Sequence, residues 1–213
     1  MLKKMRILIA DDHAIVRRGM KQLLLEQYPF AHIGEAANVE ELISAILTDK
    51  NWDVVLCDMN MPGRSGLDAI MQIKEIAPGL PVLIMSMYPE DQYALRVLKS
   101  GASGYLTKET IHDDIVKAIE TVIKGKRYIT LSLAEKLAES VNNESGKPLH
   151  EVLSDREFDV FKLLASGKTI SEIAVQLSLS STTVSTYRSR IMEKMKMKSN
   201  AELARYAIEA KLI

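Results

Sequence analysis

The chain has 213 residues, and its 28 basic and 28 acidic side chains give a formal net charge of zero at pH 7. This balance argues against a polyelectrolyte, and no stretch approaches the roughly 18 apolar residues that a membrane span requires. A single cysteine, Cys57, excludes an intramolecular disulfide. The basic N-terminal tip is followed by an apolar run that is too short for a signal peptide. We therefore expect a soluble, cytosolic protein with one large or two small domains.

The first 125 residues alternate short apolar runs with helix-like stretches. The predicted strands lie near residues 5–10, 32–36, 53–58, 81–86 and 103–106, and the helices lie near residues 14–26, 38–48, 65–77, 89–100 and 110–124. Runs rich in Val, Ile and Leu that are separated by helices are typical of parallel strands with crossover helices. The pattern predicts a doubly wound α/β domain with a five-stranded parallel sheet, and a tight turn at Pro62 and Gly63.

Polar and charged side chains follow these apolar runs. Asp11 and Asp12 come after the first run, Asp58 ends the third, Ser86 ends the fourth and Lys108 comes after the fifth. In an open α/β sheet, ligands bind beyond the carboxyl ends of the strands, so these residues are expected to meet at one edge. Three carboxylates would repel one another there unless a cation lies among them, and oxygen ligands suit Mg²⁺. A competing interpretation is that each acid caps the helix that follows it.

This constellation predicts phosphoryl transfer to a carboxylate, with Asp58 as the nucleophile. The predicted metal ligands are Asp11, Asp12, Asp58 and the backbone carbonyl of Asn60. The metal would offset charge on the incoming phosphoryl group. Lys108 and Ser86 are placed to pair with the phosphoryl oxygens.

The pattern changes after residue 125. Residues 126–141 could form one amphipathic helix, and the NNESGKP segment that follows has the composition of a flexible tether. Residues 149–213 contain four short helical patterns and no strand pattern. We therefore predict a domain at residues 1–125, a linker with a helix at residues 126–148, and an all-α domain at residues 149–213.

Local signals mark the ends of the C-terminal helices. Ser154 and Glu157 have the spacing of a capping box, and Gly167 is placed to end the helix that this box opens. The predicted N-caps of the third and fourth helices are Ser180 or Ser181 and Ser199 or Asn200.

The second and third of these helices fit a helix-turn-helix within residues 168–195. The apolar contacts between them are expected from Ile173, Ala174, Leu177, Leu179, Val184 and Ile191. Residues 168–198 carry six basic and two acidic side chains, and the hydroxyls and arginines of the third helix can reach phosphates or base edges. The predicted DNA contacts are Thr183, Ser185, Thr186, Arg188, Ser189, Arg190, Lys194 and Lys198. The same pattern also fits an ordinary solvated helix face.

The N-terminal part resembles a response-regulator receiver domain in the segments IADDH, LCDMNMPGRSGLD, MSMY and GASGYLTK. The resemblance implies a flavodoxin-like fold with bound Mg²⁺, in which Asp58 accepts a phosphoryl group from a sensor histidine kinase. It maps the acid pair onto Asp11 and Asp12, the switch hydroxyl onto Ser86, the lysine onto Lys108 and the switch aromatic onto Tyr105.

The C-terminal part resembles the LuxR-type helix-turn-helix over LSDREFDVFKLLASGKTISEIAVQLSLSSTTVSTYRSRIMEKMKMKSNAELARYAI. Many relatives have lysine at the positions that match Ser185 and Ser189, and histidine at the position that matches Tyr187. This departure moves the expected phosphate contacts to Arg188, Arg190, Lys194 and Lys198.

The two domains in this order resemble the NarL/FixJ family of response-regulator transcription factors. The resemblance implies a phosphorylation-switched homodimer that binds double-stranded DNA and contacts RNA polymerase. It also implies that the last helix pairs two DNA-binding domains, and the residues expected in that pairing are Leu203, Tyr206, Ala207 and Ala210. Some of these four must also cover the domain's own core.

Two other functions fit parts of the pattern. A Mg²⁺-dependent phosphatase of the haloacid-dehalogenase type also uses an aspartate nucleophile at a strand end, within an Asp-x-Asp motif. Here Asn60 stands in the place of the second acid, so the acid for the leaving group is missing and we expect no enzymatic turnover. The other function is a DNA-binding protein whose receiver-like half is only a protein-interaction module that works without phosphorylation.

Overall fold

The computed structural model describes residues 4–61, 66–135, 148–210 and 212–213. The chain divides into two compact units, Met1–Asn143 and Glu144–Ile213. The predicted turn at Pro62 and Gly63, the predicted helix beyond residue 135 and most of the predicted tether lie outside the described residues.

The N-terminal unit alternates strands and helices. Its strands are β1 (Arg6–Ala10), β2 (His32–Ala36), β3 (Val54–Asp58), β4 (Val82–Ser86) and β5 (Gly104–Thr107). Its helices are α1 (Ala14–Gln27), α2 (Val39–Thr48), α3 (Gly66–Ile76), α4 (Glu90–Lys99) and α5 (Ile111–Val122). These strands are all parallel, in the order β2-β1-β3-β4-β5, which confirms the predicted doubly wound sheet.

The composition of each strand explains its place in the sheet. β3 and β4 are buried along their whole length, and their uninterrupted apolar runs fit central strands that helices cover on both faces. β2 has the mixed sequence HIGEA, lies at an edge and is fully buried only at Ala36. The core on the face that α1 and α5 cover includes Ile7, Leu24, Leu56, Met85, Ile115 and Ile119.

The register of the central strands decides which residues meet at the carboxyl edge. Cys57 is paired with Ala10 on one side and with Ile84 on the other. The residues that follow these pairs, Asp11 and Asp58, therefore leave the sheet side by side. The predicted convergence of the two acids thus follows from parallel pairing alone.

Residues 126–130 differ from the prediction, because they are not helical. Tyr128 instead forms a parallel bridge with Gly104, and its N–H donates to the Ser103 carbonyl at 2.8 Å. The Tyr128 side chain is buried in the core, so its tertiary contacts override the amphipathic pattern. A Cβ at Gly104 would lie 2.9 Å from Tyr128 Cβ, so only glycine allows this approach. The predicted linker helix begins at residue 131.

The C-terminal unit is helical throughout its described residues. A 3₁₀ turn, Leu149–Val152, which the sequence pattern did not predict, precedes α6 (Asp155–Ala165), α7 (Ile170–Gln176), α8 (Ser181–Met195) and α9 (Asn200–Glu209). This arrangement confirms the second, all-α part of the predicted fold class. No helix in the described ranges combines the length and the hydropathy that crossing a bilayer demands.

Side-chain caps set the starts of these helices. The capping box of Ser154 and Glu157 is confirmed, and the Ser180 hydroxyl caps α8 by accepting from the Thr183 N–H at 3.0 Å. Ser199, rather than Asn200, caps α9. Such caps satisfy backbone N–H groups that the first turn of a helix leaves unpaired, which is why short-range sequence patterns could predict them.

Candidate functional site

The acids at the strand ends lie around one lysine. Lys108 Nζ is 2.7 Å from Asp11 Oδ2 and 2.8 Å from Asp58 Oδ1. The Asp11 side chain is fully buried, and 6% of the Asp58 side chain is exposed. The structure therefore brings three of the predicted site residues into one buried ionic cluster at the carboxyl edge of the sheet.

Backbone N–H groups hold the remaining carboxylate oxygens. The His13 N–H donates to Asp11 Oδ1 at 2.8 Å, and the Asn60 N–H donates to Asp58 Oδ2 at 3.2 Å. Each carboxylate thus has one oxygen on Lys108 and the other on an N–H two residues along the chain. Hydrogen bonds to an ionised partner are stronger than neutral ones, so both carboxylates are firmly oriented. The predicted role of the Asn60 carbonyl stays a prediction.

Burial and charge act in opposite directions on the ionisation of this cluster. Burial raises the pKa of the Asp58 carboxyl, and the Lys108 ammonium only partly offsets that effect. Burial alone would lower the pKa of Lys108, but its hydrogen bonds to Asp11 and Asp58 raise the pKa above its ordinary value. Lys108 therefore remains an ammonium ion at neutral pH and offsets part of the negative charge of Asp11 and Asp58.

The cluster has the donor atoms of a cation site. Ligand atoms of Asp11, Asp12 and His13 lie within 4.8 Å of one another. Asp12 Oδ1 is shielded from solvent and makes no hydrogen bond to the described residues, although it is within 2.8 Å of His13 Nδ1. Asp11, Asp12 and Asp58 carry three negative charges against the one ammonium of Lys108. This excess of oxygen charge, buried at Asp11 and Asp58 and partly exposed at Asp12, fits a hard divalent cation such as Mg²⁺. His13, whose side chain is 64% exposed, also lies in this group, and the sequence pattern did not single it out.

The predicted switch residues share one backbone segment. The Ser86 hydroxyl is buried and accepts from the Tyr88 N–H at 3.1 Å, and the Tyr105 hydroxyl donates to the Tyr88 carbonyl at 2.8 Å. Burial raises the pKa of Tyr105, so its phenol stays protonated as a donor. The Lys108 N–H donates to the Ser86 carbonyl at 2.7 Å. Hydrogen bonds to the backbone of Ser86 and Tyr88 therefore link Ser86, Tyr105 and Lys108 to one another next to Asp58.

The second site, in the C-terminal unit, is the helix pair α7 and α8. The predicted contact residues are all buried or half-buried: Ile173, Ala174, Leu177, Leu179, Val184 and Ile191. Between the helices, Ser178 adopts a left-handed conformation with φ of 54°, and the Leu179 N–H donates to the Ala174 carbonyl at 2.8 Å. The tight connection predicted for a helix-turn-helix is present.

The outer face of α8 carries hydroxyl and guanidinium groups. Ser185, Thr186, Ser189 and Arg190 are exposed, as is Lys198 beyond the helix, whereas Thr183 and Arg188 are half-buried. The hydroxyls of Thr186 and Ser189 donate to carbonyls one turn earlier in the helix. Arg188 Nε donates to Asn200 Oδ1 at 2.9 Å, which ties α8 to the start of α9. The face is open to a ligand, and the predicted DNA contacts stay predictions.

Lys194 has a structural partner that the sequence pattern did not reveal. Its Nζ donates to Glu157 Oε2 at 2.6 Å, and the Glu157 side chain is 3% exposed. Glu157 also accepts from the Ser154 N–H at 2.7 Å as part of the capping box. The pair therefore joins the end of α8 to the first turn of α6.

We expect Glu157→Gln to lower the free energy of unfolding of the C-terminal unit at pH 7 by about 1–3 kcal/mol. Burial alone raises the pKa of Glu157, but Lys194 and Ser154 lower the pKa below its ordinary value. A lowered folded-state pKa adds stability above the unfolded pKa, about 4.3, and that stability is lost as the pH falls through the folded pKa. The difference between variant and wild type should therefore shrink below about pH 4.

Urea unfolding followed by circular dichroism at several pH values tests this expectation. Glu172→Gln is the matched control, because Glu172 forms the exposed capping box of α7 with Thr169 and has no buried charge. If Glu157→Gln lowered the free energy of unfolding by the same amount down to pH 3, the ion pair of Glu157 with Lys194 would not be the cause of the loss.

Helix α9 corrects part of the predicted dimer interface. Leu203 and Ala207 are fully buried in the described chain, so they belong to the domain's own core and cannot face a partner. Tyr206 is half-buried, and its hydroxyl is 2.8 Å from His150 Nδ1, so it too is engaged inside the unit. Ala210 is half-buried. The side of α9 that remains exposed carries Ile208, which is 63% exposed.

Two family models match the chain. The response regulator receiver domain matches residues 7–120, and the luxR family of bacterial regulatory proteins matches residues 151–207. The first range contains the acidic cluster and the second contains the helix-turn-helix.

Whole-length relatives show the same organisation. The oxygen regulatory protein NreC of Staphylococcus epidermidis is 35% identical over an alignment of 217 residues. The alignment covers 98% of this chain and 99% of that protein. RcsB from Salmonella enterica serovar Typhimurium, solved on the rprA promoter with the phosphomimetic BeF3−, has a TM-score of 0.59 at 29% identity and covers 95% of this chain and 98% of that one. A structure of two RcsB dimers on two parallel DNAs has a TM-score of 0.59 at 28% identity, with coverage of 96% and 98%. The chain therefore belongs to the NarL/FixJ family of two-component response regulators, with an N-terminal receiver and a C-terminal LuxR-type domain.

Proposed function

We propose that this protein is a transcription regulator whose binding to DNA is switched by phosphorylation of Asp58 by a sensor histidine kinase. The observation that carries the proposal is the bridging of Asp11 and Asp58 by Lys108, at 2.7 and 2.8 Å. The cluster holds an oriented carboxylate nucleophile beside a fixed cation, in a chain that also contains a helix-turn-helix. A cytoplasmic location follows from the proposed DNA target.

In the proposed reaction, a carboxylate oxygen of Asp58 forms a bond to phosphorus while the bond from phosphorus to the kinase histidine breaks. The leaving imidazole takes up a proton, and an acyl phosphate remains on Asp58. A bound Mg²⁺ supplies electrostatic stabilisation of the phosphoryl oxygens, and Asp11 and Asp12 would hold it. Lys108 pairs with a phosphoryl oxygen in exchange for its present contact with Asp58.

The phosphoryl group adds negative charge and strong acceptors beside Ser86. We propose that the Ser86 hydroxyl then donates to a phosphoryl oxygen and no longer accepts from the Tyr88 N–H. Because Tyr105 is bonded to the carbonyl of the same Tyr88, its packing changes too. Phosphorylation of Asp58 would in this way change hydrogen bonds and side-chain packing on the β4–β5 side of the sheet.

We propose that the exposed face of α8 reads double-stranded DNA in the major groove. The complex of RcsB with promoter DNA supports this assignment for a chain of the same architecture. Short hydroxyls at Ser185, Thr186 and Ser189 would lie nearest to the bases, and Arg190 and Lys198 would contact phosphates. Contact with RNA polymerase is part of the proposal that the protein regulates transcription.

We propose that the protein acts on DNA as a homodimer, as RcsB does in its DNA-bound structure. On α9 we propose a pairing surface without the buried Leu203 and Ala207. It includes Ala201 and Ile208, which are exposed, and Ala204, which is half-buried, at helical spacing. A two-fold pair sets the recognition helices about one turn of DNA apart, so the expected site is an inverted repeat with a spacing of about 10 base pairs.

The test is incubation of the purified chain with acetyl phosphate and Mg²⁺, followed by intact mass and DNA footprinting. The proposal expects one stable phosphoryl group on Asp58 and stronger protection of a two-half-site region. Multiple turnovers of acetyl phosphate without a stable adduct would favour the phosphatase function, against which Asn60 argues. No mass change would favour the phosphorylation-independent module, and protection of one isolated half-site by a monomer would contradict the dimer.

Ser86→Ala separates phosphoryl uptake from its consequence. We expect uptake close to wild type, but a phosphorylation-induced gain in DNA affinity that is about fivefold smaller, which corresponds to one hydrogen bond of about 1 kcal/mol. Fluorescence anisotropy with labelled DNA, before and after phosphorylation, measures the gain. Ser100→Ala is the control, because the Ser100 hydroxyl donates only to Arg96 in its own helix. An undiminished gain in Ser86→Ala would remove Ser86 from the switch.

A further inference from the structure

Arg17 contacts the acidic turn from the first helix. Its Nη1 donates to the Asp11 carbonyl oxygen at 2.7 Å, and only 16% of its side chain is exposed. This contact matters because α1 begins without local support: its N-cap, His13, makes no side-chain capping bond, and its first turn contains no acidic residue. A tertiary hydrogen bond from within the helix fixes the carbonyl just ahead of its start.

Glu35 forms an ion pair with the Arg17 guanidinium at Nε, which makes no hydrogen bond to the described residues. Its Oε2 is 3.5 Å from Arg17 Nε, and its Oε1 is 2.9 Å from Lys21 Nζ. Lys21 and Arg17 together lower the pKa of Glu35, so the carboxylate is ionised at neutral pH. Arg17 and Lys21 are one helical turn apart, so α1 presents both cations to the same carboxylate.

The peptide that Arg17 holds joins the two predicted metal ligands. The carbonyl of Asp11 belongs to the peptide bond that leads into Asp12, and the Asp11 N–H donates to the Ala36 carbonyl at 3.2 Å. Hydrogen bonds therefore fix both the N–H and the carbonyl of Asp11. They also fix the direction of the backbone that leads from β1 to Asp12. Asp12 supplies the buried oxygen that makes no hydrogen bond to the described residues.

We propose that Arg17, oriented by Glu35, is a positioning residue for the divalent cation of the phosphorylation site. Arg17 acts through the Asp11–Asp12 peptide and does not contact the cation. The proposal rests on the proposed function, which requires a cation at these acids. Groups of this kind behind metal ligands change metal affinity by about 10–100-fold when they are removed.

The direction in which cation affinity changes on removal of Arg17 distinguishes a positioning role from a purely electrostatic one. If Arg17 acted only as a nearby positive charge, its removal would tighten cation binding. If it positions Asp12, its removal weakens cation binding although a repelling charge has gone. The two explanations therefore predict opposite shifts in the same measurement.

The experiment titrates Mn²⁺ into the full chain without a phosphoryl donor and follows free Mn²⁺ by electron paramagnetic resonance. We expect Arg17→Met to weaken binding about tenfold, Glu35→Gln to weaken it less, and Arg17→Lys to recover part of the loss by donating to the same carbonyl. Arg18→Met is the matched control: Arg18 lies on the same helix, is exposed and makes no hydrogen bond or ion pair within the described residues. It should bind as wild type does.

Unchanged or tighter binding by Arg17→Met would overturn the proposal, and so would an equal loss in Arg18→Met. Circular dichroism of each variant shows whether it is folded, and if Arg17→Met is not, Glu35→Gln and Arg17→Lys provide the same comparison. A wild-type chain that bound no Mn²⁺ and accepted no phosphoryl group would instead contradict the proposed function. A wild type that did both, beside an unaffected Arg17→Met, would contradict only the role of Arg17.

Discussion

Asp58→Asn is expected to abolish phosphoryl uptake from acetyl phosphate and, with it, the phosphorylation-induced gain in DNA binding. The amide has nearly the shape of the carboxylate, and its one carbonyl oxygen can still accept from either Lys108 or the Asn60 N–H, so the fold should persist. It lacks the negative oxygen that would attack phosphorus. Intact mass after incubation with acetyl phosphate and Mg²⁺ measures the loss directly.

Two companion variants define what that loss means. Asp113→Asn removes a carboxylate whose side chain is 87% exposed and should leave uptake unchanged. Asp12→Ala should also block uptake, but through the loss of a metal ligand, with Asp58 still in place. Uptake by Asp58→Asn at the wild-type rate would show that another residue is the acceptor.

Gly66→Ala is expected to slow phosphoryl uptake by about tenfold or more, although Gly66 contributes no chemical group. A Cβ at Gly66 would lie 2.7 Å from the Asp58 carbonyl oxygen and 3.0 Å from Met59 Cα, which are backbone atoms that cannot rotate away. The Gly66 N–H also donates to the Met59 carbonyl at 2.8 Å. The added methyl must displace the phosphoacceptor segment, and displacements approaching 1 Å cost about 10²-fold in well-oriented reactions.

Gly19→Ala is the matched control for this substitution. Gly19 lies inside α1, and a Cβ there would meet nothing within 4 Å. Alanine should stabilise that helix by about 0.5–1 kcal/mol and leave uptake unchanged. The initial rate of phosphorylation, measured by mass against time, decides the comparison. A wild-type rate in Gly66→Ala would show that the Asp58 segment tolerates the shift.

Much of the receiver could be predicted because its signals are local. Strand and helix follow from the period of apolar residues within each segment, and parallel strands must deliver their last residues to one edge. That is why Asp11 and Asp58 could be placed together without knowledge of any side-chain contact. The capping box of Ser154 and Glu157 was predictable for the same reason, since both partners lie within one turn.

Tertiary structure decided which side chains form ion pairs between segments that are distant in sequence. Lys108 and Asp11 are 97 residues apart, and Glu157 and Lys194 are 37 apart. No periodic pattern encodes such pairs, because they depend on how whole elements pack. The role that we propose for Arg17 rests on a hydrogen bond to Asp11, six residues away, and on an ion pair with the more distant Glu35, and no motif marks either contact.

Packing also decided which apolar residues of a helix face the core, which their spacing in the sequence does not determine. The apolar residues of α9 suit a core or a partner equally well by spacing, and only the folded unit shows that Leu203 and Ala207 are buried inside it. The segment 126–130 has a helical pattern, yet Tyr128 is buried and forms a parallel bridge with Gly104, and the segment is not helical. By itself, the sequence determined the fold class, the family and which residues end the strands. The partners of those residues were decided by tertiary structure, because burial and long-range pairing override local preference.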